Sequence, residues 1–296
     1  MKVVMNSRKY YSARTGKNPN ESRYDLTTLR RLFRDLYLRF LNDDYFQEAF
    51  GYDCVDYGRV QGKLGSDIEV QMFRLIRKPD LWPIQNKCEA YSEDDLFDVI
   101  EFIYEHISKP INGRYHRFND CGMHYNTFDK NTGQQEFREQ VNQILCDYKE
   151  GYELSENGEI LELPENGLEN LFVENLPIYD HDNVEQRVES AIKKFRSYRS
   201  SLDEKHDAIR DLADVLEFLR PKIKELAEKY NPDEQYLYKF TQNTYDIANN
   251  CGIRHHNNKQ KQDYDKDIWY NWIFYYYLAT IHVFVRLIKK AESQST

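Results

Sequence analysis

Apolar residues recur three or four positions apart along most of the chain, and this spacing constrains the fold more than any other feature of the sequence. The clearest example begins after Ser92, which forms a helix-capping pair with Asp95, and it ends before Pro110. Its apolar positions are Leu96, Val99, Ile100, Ile103 and Ile107. Because such spacing gives a helix one apolar face, the sequence predicts an all-α protein.

Similar stripes predict the remaining helices. They cover residues 29–42, 68–76, 137–148, 184–195, 203–230, 232–250 and 266–290. Residues 52–65 and 111–133 are rich in glycine or in polar side chains and are predicted to be loops. Residues 152–163 alternate on both sides of Asn157 and Gly158, which is typical of a β-hairpin.

The length of 296 residues allows two modest domains. We expect an N-terminal helical domain over residues 1–133, a connecting helix, hairpin and acidic tract over residues 134–183, and a C-terminal helical bundle over residues 184–296. The net charge is -9, but residues 185–296 hold 19 Lys and Arg against 17 Asp and Glu. The C-terminal part is therefore the part suited to approach a polyanion, whereas the acidic N-terminal domain favours a protein partner.

The spacing of cysteine and histidine residues indicates no metal site. The cysteines are odd in number, far apart in the sequence and without a C-x-x-C pair: Cys54, Cys88, Cys121, Cys146 and Cys251. This spacing predicts neither a disulfide framework nor a cysteine zinc site. His106, His116 and His124 are loosely spaced and are expected to be surface or loop residues. We therefore expect no metal and no cofactor.

The start of the chain gives no sign of export. Residues 1–8 contain no apolar run of the length that a signal peptide requires. Residues 268–288 are strongly aromatic, but Asn271, His282 and Arg286 would be costly in hydrocarbon. Large aromatic side chains suit a buried core or a dimer interface better. We expect a cytoplasmic protein with no membrane partner.

The densest chemistry of the sequence follows Gly252. Arg254, His255 and His256 combine a permanent positive charge with two imidazoles that titrate near neutral pH. In one interpretation Arg254 binds a phosphate and a histidine transfers protons. In the other, the arginine caps the carbonyls of the preceding helix and the histidines satisfy loop hydrogen bonds. Residue types alone leave both interpretations open.

Basic and aromatic residues also alternate near the end of the helix predicted over residues 184–195. The basic members are Lys193, Lys194, Arg196 and Arg199, and Lys259 and Lys261 follow the arginine-histidine run. Basic and aromatic side chains in alternation suit contact with an RNA backbone. A solvated helix surface is the alternative interpretation.

Several short motifs give the chain a family resemblance. Residues 11–19 (YSARTGKNP), residues 97–103 (FDVIEFI), the helix and hairpin over residues 141–160, and the Gly-Ile-Arg-His run at residues 252–255 resemble AbiJ-like abortive-infection proteins. Proteins of this group end in a HEPN domain. The resemblance implies a helical N-terminal domain joined by a helix and a small hairpin to a C-terminal HEPN-like bundle.

The resemblance also implies a function. Active HEPN domains are metal-independent RNases that pair an arginine and a polar neighbour with a later histidine, which implies catalytic roles for Arg254, His255 and His256. Residues 258–261 (NKQK) hold no histidine where the family has its later one. Either His255 or His256 transfers the proton, or the domain is a non-catalytic sensor or a module for dimerisation or partner binding. A homodimer with facing motifs is implied in both cases.

Overall fold

The computed structural model of the chain describes residues 11–15, 23–164, 167–168, 170–173, 177–228, 244, 246–247, 251, 253 and 264–295. The fold is mostly helical, with 63% helix and 15% strand. The chain forms two compact units, unit 1 over Met1–Leu163 and unit 2 over Pro164–Thr296. The mostly helical composition is confirmed, but the expectation of a single β-hairpin is wrong, because three separate two-stranded antiparallel sheets are present among the described residues.

The longer helices of unit 1 follow the apolar stripes of the sequence, whereas its four-residue helices correspond to no predicted stripe. They are α1 (Tyr11–Arg14), α2 (Leu26–Asn42), α3 (Gln47–Phe50), α4 (Ile68–Ile76), α5 (Ile84–Lys87), α6 (Glu93–His106) and α7 (Lys130–Leu145). Helix α6 begins at a capping box in which the Ser92 side chain accepts from the Asp95 N–H and the Asp95 carboxylate accepts from the Ser92 N–H. This reciprocal pairing satisfies two backbone donors that a helix start leaves open. The capping pair predicted from the sequence is confirmed.

Three hairpins complete unit 1. They are β1 (Tyr52–Cys54) with β2 (Gly58–Val60), β3 (Lys109–His116) with β4 (Gly122–Asp129), and β5 (Tyr152–Leu154) with β6 (Ile160–Glu162). The hairpin predicted over residues 152–163 is confirmed. The loops predicted over residues 52–65 and 111–133 are wrong, because both segments contain paired strands. Strands β3 and β4 are largely exposed or half-buried, so they lack the apolar alternation that reveals a strand.

The core of unit 1 lies among α2, α6 and α7. The side chains of Phe33, Val99 and Val141 are fully buried there. Phe40 on α2 and Phe137 on α7 meet edge to face, with ring centroids 5.5 Å apart. The three stripes recognised in the sequence therefore face one another.

Two side-chain amides close hairpin strands in unit 1. Gln47 on α3 donates from Nε2 to the carbonyl of Met123 (2.9 Å) and accepts at Oε1 from the N–H of Tyr125 (2.7 Å). Asn142 on α7 donates from Nδ2 to the carbonyl of Leu154 (3.1 Å) and accepts at Oδ1 from the N–H of the same residue (2.6 Å). Each amide thus takes the place of a neighbouring strand for β4 and β5.

The named elements in the described part of unit 2 are all helical. It contains α8 (Asn170–Val173), a π-helical turn (His181–Glu185), α9 (Gln186–Arg196), α10 (Leu202–Ala227) and α11 (Lys266–Ser295). Helix α10 begins with a capping box made by Ser201 and Glu204, so its cap lies two residues before the helix start predicted at residue 203. Most of the helix predicted over residues 232–250 lies outside the described residues.

One apolar core joins α9, α10 and α11. Phe195 on α9 and Phe274 on α11 stack with centroids 3.8 Å apart and an interplanar angle of 10°. Leu212 and Leu216 on α10 are buried against them in the same cluster. None of the helices within the described ranges has both the length and the apolarity needed to span a membrane.

Candidate functional site

The residues predicted to be catalytic fall outside the described part of the chain. These residues are Arg254, His255 and His256. Lys259 and Lys261, which are predicted to bind RNA, also lie outside the described residues. The residues that flank them are described. Ile253 is buried in the core of unit 2, with 1% of its surface exposed, and the hydroxyl of Tyr264 donates to the carbonyl of Cys251 at 2.9 Å. The described flanks of residues 254–263 are therefore fixed to the same unit and to each other.

A chain of ring contacts leads from this point to a histidine. The rings of Tyr264 and Tyr270 have centroids 6.3 Å apart, and those of Tyr270 and His206 are 5.9 Å apart. Burial raises the pKa of Tyr264, so its hydroxyl stays protonated and can keep donating to Cys251. His206 lies near the start of α10, nearly fifty residues before Arg254 in the sequence. No spacing rule links the two, so sequence analysis missed His206.

His282 is an imidazole that the sequence places deep in the last helix. It lies buried in α11, and its Nε2 is 3.2 Å from the carbonyl oxygen of Leu171. A buried ring bonded to a carbonyl fastens α8 to α11. His282 therefore stabilises the contact between α8 and α11, in keeping with its predicted position deep in the last helix.

The four described residues predicted to bind RNA have different environments. Lys193, Lys194 and Arg199 are exposed, although the ammonium of Lys194 pairs with the carboxylate of Asp211 at 2.5 Å. Arg196 is 8% exposed, and its guanidinium lies 5.1 Å from the centroid of the Phe172 ring. A buried cation packed on an aromatic face stabilises the fold and is poorly placed for RNA. The basic surface therefore consists of the three exposed residues and excludes Arg196.

Four side chains with metal-binding atoms meet in unit 1, three from residues 116–124 and one from β1. We call Cys54, His116, Cys121 and His124 the Cys-His cluster; one ligand atom from each lies within 4.8 Å of all the others. Cys54 is buried and the other three are half-buried. His116 and His124, which the sequence predicts to be surface or loop residues, lie half-buried in strands β3 and β4. The local pattern His116-x4-Cys121-x2-His124 is the sequence signal that could have revealed three of the four.

A groove lined by arginines runs along α2. Arg30, Arg31 and Arg34 line it together with Glu89. The guanidinium of Arg34 pairs with the Glu89 carboxylate at 2.6 Å, and Arg30 donates to the backbone carbonyl of Tyr91. These contacts hold the turn at Cys88–Ala90 against α2, so two of the three arginines have structural partners.

Helix α11 exposes large aromatic side chains. Trp269 and Trp272 are each 47% exposed, and their ring centroids are 5.6 Å apart. Tyr276 continues the strip, since it stacks on Trp272 at 5.2 Å with an interplanar angle of 6°. Exposed tryptophans of this kind are enriched where proteins associate.

Comparison with known proteins identifies no relative of this chain. No family model matches it, and no curated protein or solved structure does so either.

Proposed function

We propose that the protein is an RNA-directed effector of the HEPN kind, with its reactive groups at Arg254, His255 and His256. The biological role that the resemblance implies is antiphage or abortive-infection defence through RNA cleavage. The observation that carries the proposal is the fixed base of residues 254–263, formed by the burial of Ile253 and the hydrogen bond from Tyr264 to Cys251. A reactive segment needs such a support, because catalytic groups act only when they are held in position.

The environment of this base suits phosphate chemistry. Arg254 directly follows Ile253 in the sequence, and Ile253 belongs to the core of unit 2. The ring contacts from Tyr264 through Tyr270 bring a further imidazole, His206, to the same network. We propose His206 as an additional proton-transfer group, which would take the place of the later histidine that residues 258–261 lack.

The proposed reaction uses no metal. A neutral histidine accepts the proton of an RNA 2′-hydroxyl, whose oxygen forms a bond to the adjacent phosphorus. The bond from phosphorus to the 5′-oxygen breaks, and a second, protonated histidine gives its proton to that oxygen. Arg254 stabilises the charge on the non-bridging oxygens. The products are a 2′,3′-cyclic phosphate and a 5′-hydroxyl.

The test is cleavage of total RNA by the purified full-length protein without added divalent metal. We expect Arg254→Ala to lower the rate by about 100-fold or more, while Arg187→Ala, which removes an exposed arginine of α9, leaves it unchanged. His206→Ala, His255→Ala and His256→Ala then identify the proton-transfer groups, each of which contributes at least about 100-fold. Equal melting temperatures would show that the variants are folded. Unchanged cleavage by Arg254→Ala would exclude this residue from the mechanism.

The alternative is a non-catalytic module that senses a partner or dimerises. The exposed Trp269 and Trp272, continued by the half-buried Tyr276, favour it, because an aromatic surface on α11 suits an interface between two copies. Measuring the oligomeric state and the RNA cleavage of the same purified protein distinguishes the two functions. A stable dimer that is inert toward every RNA supports the module, whereas cleavage that requires Arg254 supports the enzyme.

A further inference from the structure

We propose that the Cys-His cluster of unit 1 binds one zinc ion with Cys54, His116, Cys121 and His124 as its ligands. The proposal concerns a different unit from the proposed RNA site and does not depend on it. Two thiolates and two imidazoles are the ligand set of many structural zinc sites, and their softness selects zinc over magnesium or calcium.

The distances fit a tetrahedral centre. Zinc bonds of 2.0–2.3 Å to nitrogen and sulfur require ligand atoms that lie about 3.3–3.8 Å apart. The Sγ of Cys54 lies 3.8 Å from Nδ1 of His116, and the Sγ of Cys121 lies 3.3 Å from Nε2 of His124. All four ligand atoms lie within 4.8 Å of one another, so small side-chain shifts would complete the tetrahedron.

The backbone of the two hairpins brings the ligands together. Residue 122 pairs with His116 across the β3–β4 ladder, so His116 and His124 are diagonal neighbours on one face. The turn between these strands contains left-handed residues at Asn119 (φ 47°) and Asp120 (φ 53°), followed by Gly122 (φ 105°). Such a turn costs backbone strain for the non-glycine residues. It places Cys121 beside the histidines, while Cys54 arrives from β1.

A neighbouring carboxylate orients one of the ligands. Asp56 lies 3.0 Å from Nε2 of His116, which leaves Nδ1 of that ring turned toward Cys54. Histidines that bind zinc commonly donate their other ring N–H to a carboxylate, which fixes the tautomer. Asp56 is thus a positioning residue for the proposed site. The ring of Tyr52 covers His124, with centroids 4.3 Å apart.

The proposed zinc would have a structural role. Four protein ligands leave no position for water or substrate, as in closed zinc sites. The ligands belong to two hairpins that are otherwise small, and an isolated two-stranded hairpin is marginally stable in water. The ion would join the β1–β2 hairpin to the β3–β4 hairpin and fix their relative position.

The first experiment measures metal in the full-length protein purified under reducing conditions without added zinc. Elemental analysis should find about one zinc per chain, in keeping with the four ligands of one closed site. Cys121→Ser should reduce the zinc content at least about tenfold, because loss of a ligand costs more than loss of its supporting partner. Two matched controls should keep the full content: Cys146→Ser, a half-buried cysteine of unit 1, and His106→Asn, a histidine bonded to the carbonyl of Phe102.

The second experiment replaces zinc by cobalt and records the visible spectrum. Intense tetrahedral bands and a thiolate charge-transfer band are expected, and they test the ligand set even if Cys121→Ser fails to fold. Asp56→Asn should keep the spectrum and bind cobalt about tenfold more weakly, as loss of a supporting partner predicts. No zinc in the wild-type protein, full zinc in Cys121→Ser, or a cobalt spectrum without thiolate bands would overturn the proposal. A mass lower by two hydrogens, showing a Cys54–Cys121 disulfide, would do so too.

Discussion

Each of the two units is stabilised internally by a different kind of contact. In unit 2 the described helices α9, α10 and α11 share one apolar core, in which Phe195 stacks on Phe274. In unit 1 a helical core is accompanied by hairpins whose edges are closed by polar side chains such as Gln47 and Asn142. From this contrast we infer that an apolar stripe specifies a helical bundle by itself, whereas exposed hairpins need individual polar contacts between residues far apart in sequence.

The largest expected effect of a single substitution comes from the core of unit 2. Phe274→Ala removes a ring that is fully buried and stacked on Phe195, and we expect it to cost about 3–5 kcal/mol of unfolding free energy. Hydrogen exchange measured by mass spectrometry should show faster exchange across α9, α10 and α11. Peptides from α6 and α7 in unit 1 should keep their protection.

A control on the same helix separates core packing from helix propensity. Val283 is 49% exposed on α11, so Val283→Ala should change the free energy of unfolding by no more than about 0.5 kcal/mol. Equal loss of protection in both units after Phe274→Ala would break the comparison, because it would show that the two units unfold as one.

A smaller effect is expected from the amides that close the hairpin strands of unit 1. Gln47→Ala leaves the carbonyl of Met123 and the N–H of Tyr125 without their side-chain partner, and Asn142→Ala does the same to both backbone groups of Leu154. We expect each to cost about 1–3 kcal/mol, with the larger value for Gln47, which is 7% exposed. Denaturant unfolding and peptide-level exchange would measure both.

Asn131→Ala is the matched control, since it removes an exposed amide from α7. It should leave the stability of unit 1 nearly unchanged. Gln47→Ala should also weaken zinc binding, because Met123 and Tyr125 flank His124 in β4. If both amide variants behaved like Asn131→Ala, polar edge contacts would contribute little and the contrast between the units would lose its basis.

Sequence analysis predicts the helices and strands that have one apolar face, and it does not predict strands that lack one. Helix α6 and the hairpin over residues 152–163 have clear local signals, namely the capping pair at Ser92 and the Asn157-Gly158 turn. Strands β3 and β4 alternate poorly because much of their surface is exposed. One edge of β4 is closed by the Gln47 side chain, which lies 78 positions from its partner Tyr125 in the sequence.

The same limit applies to the candidate sites. Cys54 and His116 are 62 positions apart, so a rule based on cysteine spacing could not join them. The alternation of basic and aromatic residues predicts that Arg196 binds RNA, yet Arg196 is buried and packs on Phe172. Periodicity along the sequence shows on which face of an element a residue lies, but not which side chain packs against it from another element. The contact of Cys54 with His116 and that of Arg196 with Phe172 both depend on such packing.

The smallest expected effect is a difference between the two units in how their stability depends on pH. Asp25 and Asp129 cap α2 and α7 in unit 1, and hydrogen bonds from the backbone and side chains of Thr28 and Thr132 lower the pKa of each carboxyl. In unit 2 the N–H of Ser201 lowers the pKa of Glu204 in the same way. A lowered pKa gives stability that is present above the ordinary carboxyl pKa and is lost as pH falls through the folded value.

Ordinary carboxyl pKa values are about 4. As the pH falls below about 4, unit 1 should therefore lose the contribution of two capping carboxylates, Asp25 and Asp129, whereas unit 2 loses that of Glu204. Burial raises the pKa of Glu101, which offsets part of the loss, because a raised carboxyl pKa favours the folded state in acid. Asp25→Asn keeps a side chain that caps helices well but cannot titrate, so it should flatten the dependence of unit 1 stability on pH. Asp35→Asn, which removes an exposed carboxylate from α2, should leave the slope as it is. Stability measured at several pH values would contradict the argument if the two variants had equal slopes, since the capping carboxylates would then carry none of the acid sensitivity.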